Sequence, residues 1–321
     1  MVTLKQLAEL SGYSVRTVQR VLSGQAHVNP LKREKILALA KEHHYVPNIA
    51  ARNLRLQKKN FVGILFENFS MSAALNKLNS LDRMLMDNGY FPMLGKLDSG
   101  KVHDFDQLMM NWSGVAEHAV VFQGSSNYIQ NCIKDRSKHY PLKFILMDCF
   151  SDYGDYAIKV DRQTSVYDML RKVDAMGYCH LLYCGELDSR SEGVAMAEQD
   201  PSIKMKISRL VTDRQDFEAG ELSGADVMKS GADVVFFDTD RMACGFYRYA
   251  AKHGIKLPEQ ISVVGFDNEA YSDLQNPPLS TLAHPVNELS ERVLEIIRTG
   301  EISDTTPLKM KFIPRESLSR K

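Results

Sequence analysis

Residues 13–24, YSVRTVQRVLSG, have the pattern of one short amphipathic helix with an unusual polar face. Its apolar side chains recur at the three- and four-residue spacing of a buried stripe: Val15, Val18, Val21 and Leu22. The opposite face carries two arginines and no acidic residue: Arg16, Gln19, Arg20 and Ser23. Because a solvated helix face ordinarily mixes charges of both signs, this composition indicates a face that meets an anionic partner.

The flanking sequence predicts two further short helices, so that residues 3–44 form a three-helix unit. Thr3 is a candidate N-cap of the first helix, Ser14 caps the second, and Pro30 opens the third. Leu37 and its apolar neighbours on the third helix are expected to complete a small core. A tight turn between two helices, the second of them basic, is typical of a helix-turn-helix unit, whose second helix fits the DNA major groove.

The formal charge is divided between the two ends of the chain. Residues 1–60 contain eleven Lys and Arg against three Asp and Glu, a formal charge of +8, and the remaining residues carry −8. A basic head on an acidic body is expected where one end of a protein meets a polyanion. The sequence therefore favours double-stranded DNA as a partner of the head.

From Phe61 onward, short apolar strands alternate with helical patterns, which predicts parallel sheets with helical crossovers. The sequence shows no phosphate-binding loop, no dinucleotide fingerprint and no His or Cys nucleophile arrangement, so we expect no enzymatic activity, no cofactor and no metal. No apolar run reaches the length of a membrane span, and the N-terminus is polar. These features predict a cytoplasmic protein without a membrane partner.

The segment TLKQLAELSGYSVRTVQRVLSGQAHVNPLKREKILALAKEHHYVPNIAARNLR, residues 3–55, resembles the head of the lac repressor/galactose repressor (LacI/GalR) family of bacterial transcriptional regulators. The resemblance recurs in PEQISVVGFDN, PPLSTLAHP and the terminal RES. It implies an N-terminal all-α helix-turn-helix headpiece and an α/β, two-lobed, periplasmic-binding-protein-like effector domain with parallel sheets and three crossovers. We expect these crossovers near residues 156–160, 279–284 and 309–312.

By this resemblance the chain divides into a DNA-binding domain, residues 1–46, a hinge helix or linker, residues 47–59, and an effector-binding and dimerisation domain, residues 60–321. Lobe one is expected to hold residues of about 60–157 and 284–309. Lobe two is expected to hold residues of about 158–280 and 310–321.

The resemblance also assigns DNA contacts within the head and the linker. Val15, Arg16 and Arg20 fall at base-reading positions, which moves Val15 from the buried stripe to the DNA surface. Leu54 stands where the family inserts a leucine wedge between base pairs, although an ordinary packing role is the alternative. The remaining predicted DNA-contact residues are Thr3, Ser14, Thr17, His27, Asn29, Tyr45, Asn48 and Ala51. Gln19 departs from the family, which commonly has Ser there, and its role stays open.

The predicted effector contacts lie in loops that follow the strands, because ligands of such sheets bind at the carboxyl ends of the strands. Asp267 and Arg190 match family ligand positions best, while Asp267 could instead cap a turn. The other candidates are Glu67, Phe69, Gln123, Ser125, Asp148, Asp238, Thr239 and Asp240. The loop at residues 185–193 is shorter than usual, and Thr239-Asp240 replaces the Asn-Asp pair that is typical of the family, so an unusual or weakly bound effector is expected.

Together these features predict a homodimeric, sequence-specific DNA-binding regulator. We expect it to act as a repressor in the bacterial cytoplasm, associated with the nucleoid, with its operator affinity controlled by a small molecule such as a sugar or sugar derivative. Two alternatives stay open at this point. One is a solute-binding protein with a degenerate head, and the other is a DNA binder with a vestigial effector cleft.

Overall fold

The fold was analysed in a computed structural model, which describes residues 2–22, 28–45, 59–66, 72–97, 102–122, 127–149 and 152–318. The chain forms two compact units, Met1–Lys59 and Asn60–Lys321. We call the first unit the head and the second unit the body. None of the described helices is long and apolar enough to cross a membrane.

The head contains three helices, α1 (Leu4–Ser11), α2 (Val15–Leu22) and α3 (Pro30–Glu42). Thr3 and Gln6 form a capping box at the start of α1, and Gly12 ends that helix in the left-handed conformation. A small core joins the three helices and includes Leu7, Ala8, Val18, Val21 and Ile36.

The prediction for Leu37 was wrong, because its side chain is 47% exposed. Consecutive residues of a helix point about 100° apart. Ile36 takes the inward position and is completely buried, so Leu37 is turned away from the core.

The body begins with a lobe built on a five-stranded sheet of order β2-β1-β3-β4-β5, in which all pairs are parallel. Its strands are β1 (Phe61–Phe66), β2 (Phe91–Lys96), β3 (Ala116–Phe122), β4 (Lys143–Met147) and β5 (Tyr156–Ile158). Its helices are α4 (Ser72–Asp87), α5 (Val102–Ser113) and α6 (Asn127–Arg136), with a short 3₁₀ turn at Ser137–His139. We call this part lobe one.

The second part of the body, lobe two, is built on a six-stranded sheet of order β13-β11-β10-β9-β7-β8. Its strands are β7 (His180–Gly185), β8 (Lys206–Val211), β9 (Val234–Phe237), β10 (Ser262–Asp267), β11 (Ser280–Ala283) and β13 (Lys311–Ile313). Its helices are α7 (Arg162–Ala175), α8 (Ser189–Gln199), α9 (Phe217–Leu222), α10 (Gly224–Lys229) and α11 (Asp240–His253). Only β13 runs antiparallel to its neighbour among the paired strands of this sheet that the structure describes.

Three segments join the lobes. The first runs through β5 and β6 (Val160–Asp161), and the second runs from β11 into α12 (Val286–Thr299), which packs on α4 of lobe one. The third returns through β12 (Leu308–Lys309), which pairs with β6, to β13. This arrangement confirms the predicted fold class with its parallel sheets and three crossovers.

Candidate functional site

The exposed face of α2 is the candidate DNA surface of the head. Val18 and Val21 are buried in the core of the head, whereas Arg16 and Arg20 are exposed and Val15 is 39% exposed. The two buried valines therefore fix which side of α2 faces outward. Of the apolar stripe inferred from the sequence, Val18 and Val21 therefore lie in the core, whereas Val15 lies on the exposed side.

The first turn of α2 is held by its own hydroxyl side chains. The backbone N–H of Thr17 donates to Ser14 Oγ at 3.3 Å, and the two hydroxyl oxygens lie 2.9 Å apart. This cap satisfies a backbone donor that would otherwise be unpaired at the helix start. Ser14 and Thr17 thus hold the start of α2, in addition to their predicted role as DNA contacts.

Three other predicted DNA contacts also have structural partners in the head. Thr3 caps α1, and the side-chain oxygen of Asn29 accepts from the N–H of Leu31 at 3.0 Å at the start of α3. Tyr45 packs against the core of the head. Gln19 is half-buried on α2. The remaining predicted DNA contacts lie outside the described residues: His27, Asn48, Ala51 and Leu54.

In the body, Asp148 lies at the carboxyl end of β4 and is completely buried. Its carboxylate pairs with Lys77 Nζ at 2.5 Å, and an Arg162 guanidinium nitrogen lies 2.7 and 2.8 Å from its two oxygens. Burial alone would raise the pKa of Asp148, but the charges of Lys77, Arg162 and His284 outweigh it and hold that pKa at about 2. Asp148 therefore stays ionised and contacts cations of the protein itself.

His284 links this cluster to Asp267. Its Nδ1 lies 3.8 Å from Asp148 Oδ2, and its Nε2 lies 3.1 Å from Asp267 Oδ1. Burial and the nearby Lys77 lower the pKa of His284 despite its two acidic neighbours. Asp267 has a φ of 109°, a strained value for a residue with a side chain, so the turn after β10 is held in an uncommon conformation.

Arg190 is engaged by residues of lobe two. Its Nε donates to Asp188 Oδ2 at 2.8 Å, one terminal nitrogen donates to the carbonyl oxygen of Asp238 at 2.6 Å, and the guanidinium lies 5.3 Å from the ring centre of Phe266. A second terminal nitrogen also bonds the Asp188 carboxylate. Burial acts against the charged form, but these acidic neighbours raise the pKa of Arg190. The arginine is therefore a preorganised cation with its donors directed at protein acceptors.

Asp238 and Asp240 follow β9 and are both completely buried. Burial is the main cause that raises the pKa of Asp238 to about 6 and that of Asp240 to about 7, and Asp267 adds to the effect on Asp240. Asp240 accepts from Ser272 Oγ at 2.5 Å, Thr281 Oγ1 at 2.7 Å and the N–H of Glu269 at 2.8 Å. Thr239, between them, caps α11.

Two glycines allow these carboxylates to sit against the neighbouring strands. A Cβ at position 185 would lie 2.4 Å from Asp238 Cγ, and a Cβ at position 265 would lie 2.1 Å from Asp240 Oδ1. Only glycine permits so close an approach without displacement of the carboxylate. Gly185 in β7 and Gly265 in β10 are thus required by the close packing of Asp238 and Asp240 against these strands.

We expect the stability of the body to depend on pH through Asp240. Its folded pKa of about 7 is raised above the unfolded value, so stability falls as pH rises from about 4 to about 7, because the folded state holds the proton longer. Asp240→Asn should remove this contribution, which is on the order of 4 kcal/mol because the shift from 3.8 to about 7 spans about three pKa units of about 1.4 kcal/mol each. Urea unfolding of both proteins between pH 4 and pH 8 checks this. Parallel stability curves would contradict it.

Two cavities open beside these residues. One of about 490 Å³ lies between α4 and the ends of β10 and β11, and its lining includes Asn76, Arg83, Asp267 and His284. Another of about 180 Å³ is lined by residues that include Thr239, Arg241, Asp267 and Tyr271. Asp267 faces both cavities. The predicted contacts Glu67, Phe69, Gln123 and Ser125 lie outside the described residues.

Four residues of this region were not predicted from the sequence: Lys77, Arg162, Asp188 and His284. A signal did exist for Lys77, which shares the inward stripe of α4 with Leu81 and Leu85 at a spacing of four residues. A lysine on a buried stripe requires a counter-charge. Nothing comparable marks Arg162, the first residue of α7.

The comparison with known protein families begins at the head. Residues 3–48 match the bacterial regulatory proteins of the lacI family. The chain belongs to the lacI family of bacterial regulators. In this LacI-family chain, residues 183–318 also match the periplasmic binding protein-like domain. These matches confirm the resemblance inferred from the motifs.

Similar regulators cover nearly the whole length of this LacI-family chain. The probable HTH-type transcriptional repressor ExuR of Bacillus subtilis is 25% identical, over 100% of this chain and 99% of its own. The ribose operon repressor of Haemophilus influenzae is 23% identical, over 99% of each chain. Among solved structures, the lac repressor dimer bound to operator and the anti-inducer ONPF has a TM-score of 0.75 at 19% identity, over 98% of each chain. That structural similarity supports the fold described above.

Proposed function

We propose that this LacI-family chain is a homodimeric transcriptional repressor that binds operator DNA through α2, with operator affinity controlled by a small molecule bound between the lobes. The observation that carries the proposal is the outward face of α2, where Arg16 and Arg20 are exposed because Val18 and Val21 are buried. Arginine on such a helix can bond guanine in a bidentate manner or bind phosphate. A homodimer presents two such helices to the half-sites of a near-palindromic operator.

Control by an effector follows from the two-lobed body. A ligand that prefers one angle between the lobes shifts the population of that arrangement, and in a dimer this changes the separation of the two linkers that lead to the heads. The proposed effector contacts are the predicted side chains of lobe two, together with the four loop residues outside the described part. Asp267 is central because it lines both cavities.

A sugar or sugar derivative suits this site. Carboxylates and a fixed arginine orient hydroxyl groups through charge-assisted hydrogen bonds. Relatives point the same way, since they include ribose operon repressors, a cellobiose complex of a regulator and a regulator structure with bound ribose. The family consists of transcriptional regulators, and we propose that this chain likewise catalyses no reaction and works in the bacterial cytoplasm at the nucleoid.

The test begins with selection of DNA from a random pool by the full-length protein. We expect a near-palindromic sequence, and we expect a chain that lacks residues 1–58 to lose DNA binding while it keeps ligand binding. A truncated chain that still binds the selected DNA would exclude the head as the DNA-binding unit.

The effector is sought separately, with a thermal-shift screen of sugars and sugar derivatives. A compound that raises the melting temperature of the wild type should have a weaker effect on Asp267→Ala. An equal shift in both proteins would place the ligand away from Asp267.

A further inference from the structure

The ion pairs of Asp148 connect the two lobes of the body. Lys77 on α4 and Asp148 after β4 belong to lobe one. Arg162 opens α7, which packs against α8 and β11 of lobe two. One buried carboxylate is therefore shared by a cation from its own lobe and a cation from the opposite lobe.

Burial makes this connection sensitive to movement of the lobes. The side chains of Lys77, Asp148 and Arg162 are 1%, 0% and 5% exposed, respectively. A charge buried in this way is stable only with its partner in place, because separation of a buried pair leaves a charge that neither water nor a partner compensates. Lobe motion that withdraws Arg162 from Asp148 would leave a buried charge with one partner fewer. The pair therefore favours the lobe arrangement seen in this structure.

The same contacts decide what Asp148 can offer to a ligand. Arg162 lies within hydrogen-bond distance of both carboxylate oxygens, and Lys77 lies against one of them. A ligand hydroxyl would have to displace one of these cations to reach Asp148. The Asp267 carboxylate lies 3.1 Å from His284 Nε2 and lines both open cavities, so it is more accessible to a ligand than Asp148.

We propose that Arg162 is a positioning residue that ties lobe two to lobe one through Asp148 and withholds Asp148 from ligand contact. The ion pair of Lys77 with Asp148 lies within lobe one and balances the charge of the carboxylate there. The consequence for operator affinity rests on the proposed function, whereas the tie between the lobes does not.

The two cations supply a matched pair of variants. Arg162→Met leaves the Lys77–Asp148 pair, and Lys77→Met leaves the Arg162–Asp148 pair, so each variant removes one charge and keeps one buried ion pair. Of these two variants, Arg162→Met is the one that removes the ion pair between Asp148 and lobe two. Arg162→Lys restores a cation on lobe two and serves as the rescue variant.

The separation of the lobes is measured in the full-length protein by pulsed electron–electron double resonance. One spin label is placed on Cys179, which is exposed in lobe two, and the other on Glu117→Cys, at an exposed position of β3 in lobe one. The other four cysteines are buried. Labelled chains are diluted into an excess of unlabelled Cys179→Ser chains, so that a dimer carries one labelled protomer.

We expect Arg162→Met to broaden the distance distribution and to shift its mean by about 2 Å or more, a change typical of hinge motion. Lys77→Met should keep the wild-type distribution, and Arg162→Lys should recover it. On the selected operator, Arg162→Met should change affinity by about tenfold, within the usual range of allosteric coupling, and more than Lys77→Met does.

Equal distance distributions in Arg162→Met, Lys77→Met and wild type would overturn the tie. If Arg162→Met does not fold, the comparison is made with Arg162→Gln, which keeps hydrogen-bond donors without the charge. A wild-type protein that selects no DNA sequence would refute the proposed function and leave the distance measurement as an independent test of the tie.

Discussion

Asp148→Ala is expected to lower the free energy of unfolding of the body by about 3–5 kcal/mol, the usual cost when one partner of a buried ion pair is removed. The substitution leaves Lys77 and Arg162 buried without the carboxylate that both contact. Two like charges would then face each other in a site shielded from water. Equilibrium urea unfolding at neutral pH, followed by circular dichroism, measures the effect.

Asp152→Ala is the matched control for this prediction. Asp152 follows in the same connection and pairs with Lys159 at 2.9 Å, but its side chain is 63% exposed. Exposed ion pairs contribute little to stability, so this variant should unfold close to the wild type. Equal stability of the two variants would show that Asp148 is not the buried anion on which the cluster depends.

Arg16→Ala and Arg20→Ala are expected to weaken operator binding by about 1–3 kcal/mol for each bidentate base contact removed, and to relax the sequence preference at the bases involved. Both side chains lie on the exposed face of α2, so their truncation leaves the core of the head intact. Fluorescence anisotropy on the selected operator and on single-base variants of it measures affinity and preference together.

Lys41→Ala is the control for charge alone. Lys41 is exposed near the end of α3, and its truncation removes the same unit of positive charge from the head. Loss of a phosphate contact lowers affinity for all sequences alike and reduces the salt dependence by about one counterion, without loss of sequence preference. If the arginine variants behaved in this way, with unchanged sequence preference, the assignment of α2 as the recognition helix would be wrong.

The described helices of the head could be predicted from the sequence almost completely, because their signals are local. The Thr3 cap, the glycine turn and the valine spacing of α2 all act within a few residues, and the structure shows the helices that they predict. Leu37 is the exception, because the sequence does not show which of two adjacent apolar residues, Ile36 or Leu37, points into the core. The predicted roles in the linker and in the loops after β1 and β3 stay predictions.

The body was predictable in class but not in detail. Alternating strand and helix patterns indicated parallel sheets, whereas the order of the strands within each sheet came from the structure. Helix α8 had no clear pattern in the sequence, because its buried face contains Arg190, Ser191 and Gly193 beside two apolar residues, Val194 and Ala197. Its burial depends on partners such as Asp188 and Asp238, which no hydrophobic period reveals.

The sequence by itself determined the basic recognition helix, the charge division between head and body, and the family, because each is encoded in residues adjacent in the chain or one helical turn apart. Only the tertiary structure decided how the predicted effector residues are used. Lys77 and Asp148 are 71 positions apart and Arg162 is a further 14 away, yet they meet in one buried cluster. Such a pairing depends on how the two lobes pack against each other. Because the three charges are removed from water, each of them then requires its partner to remain in place.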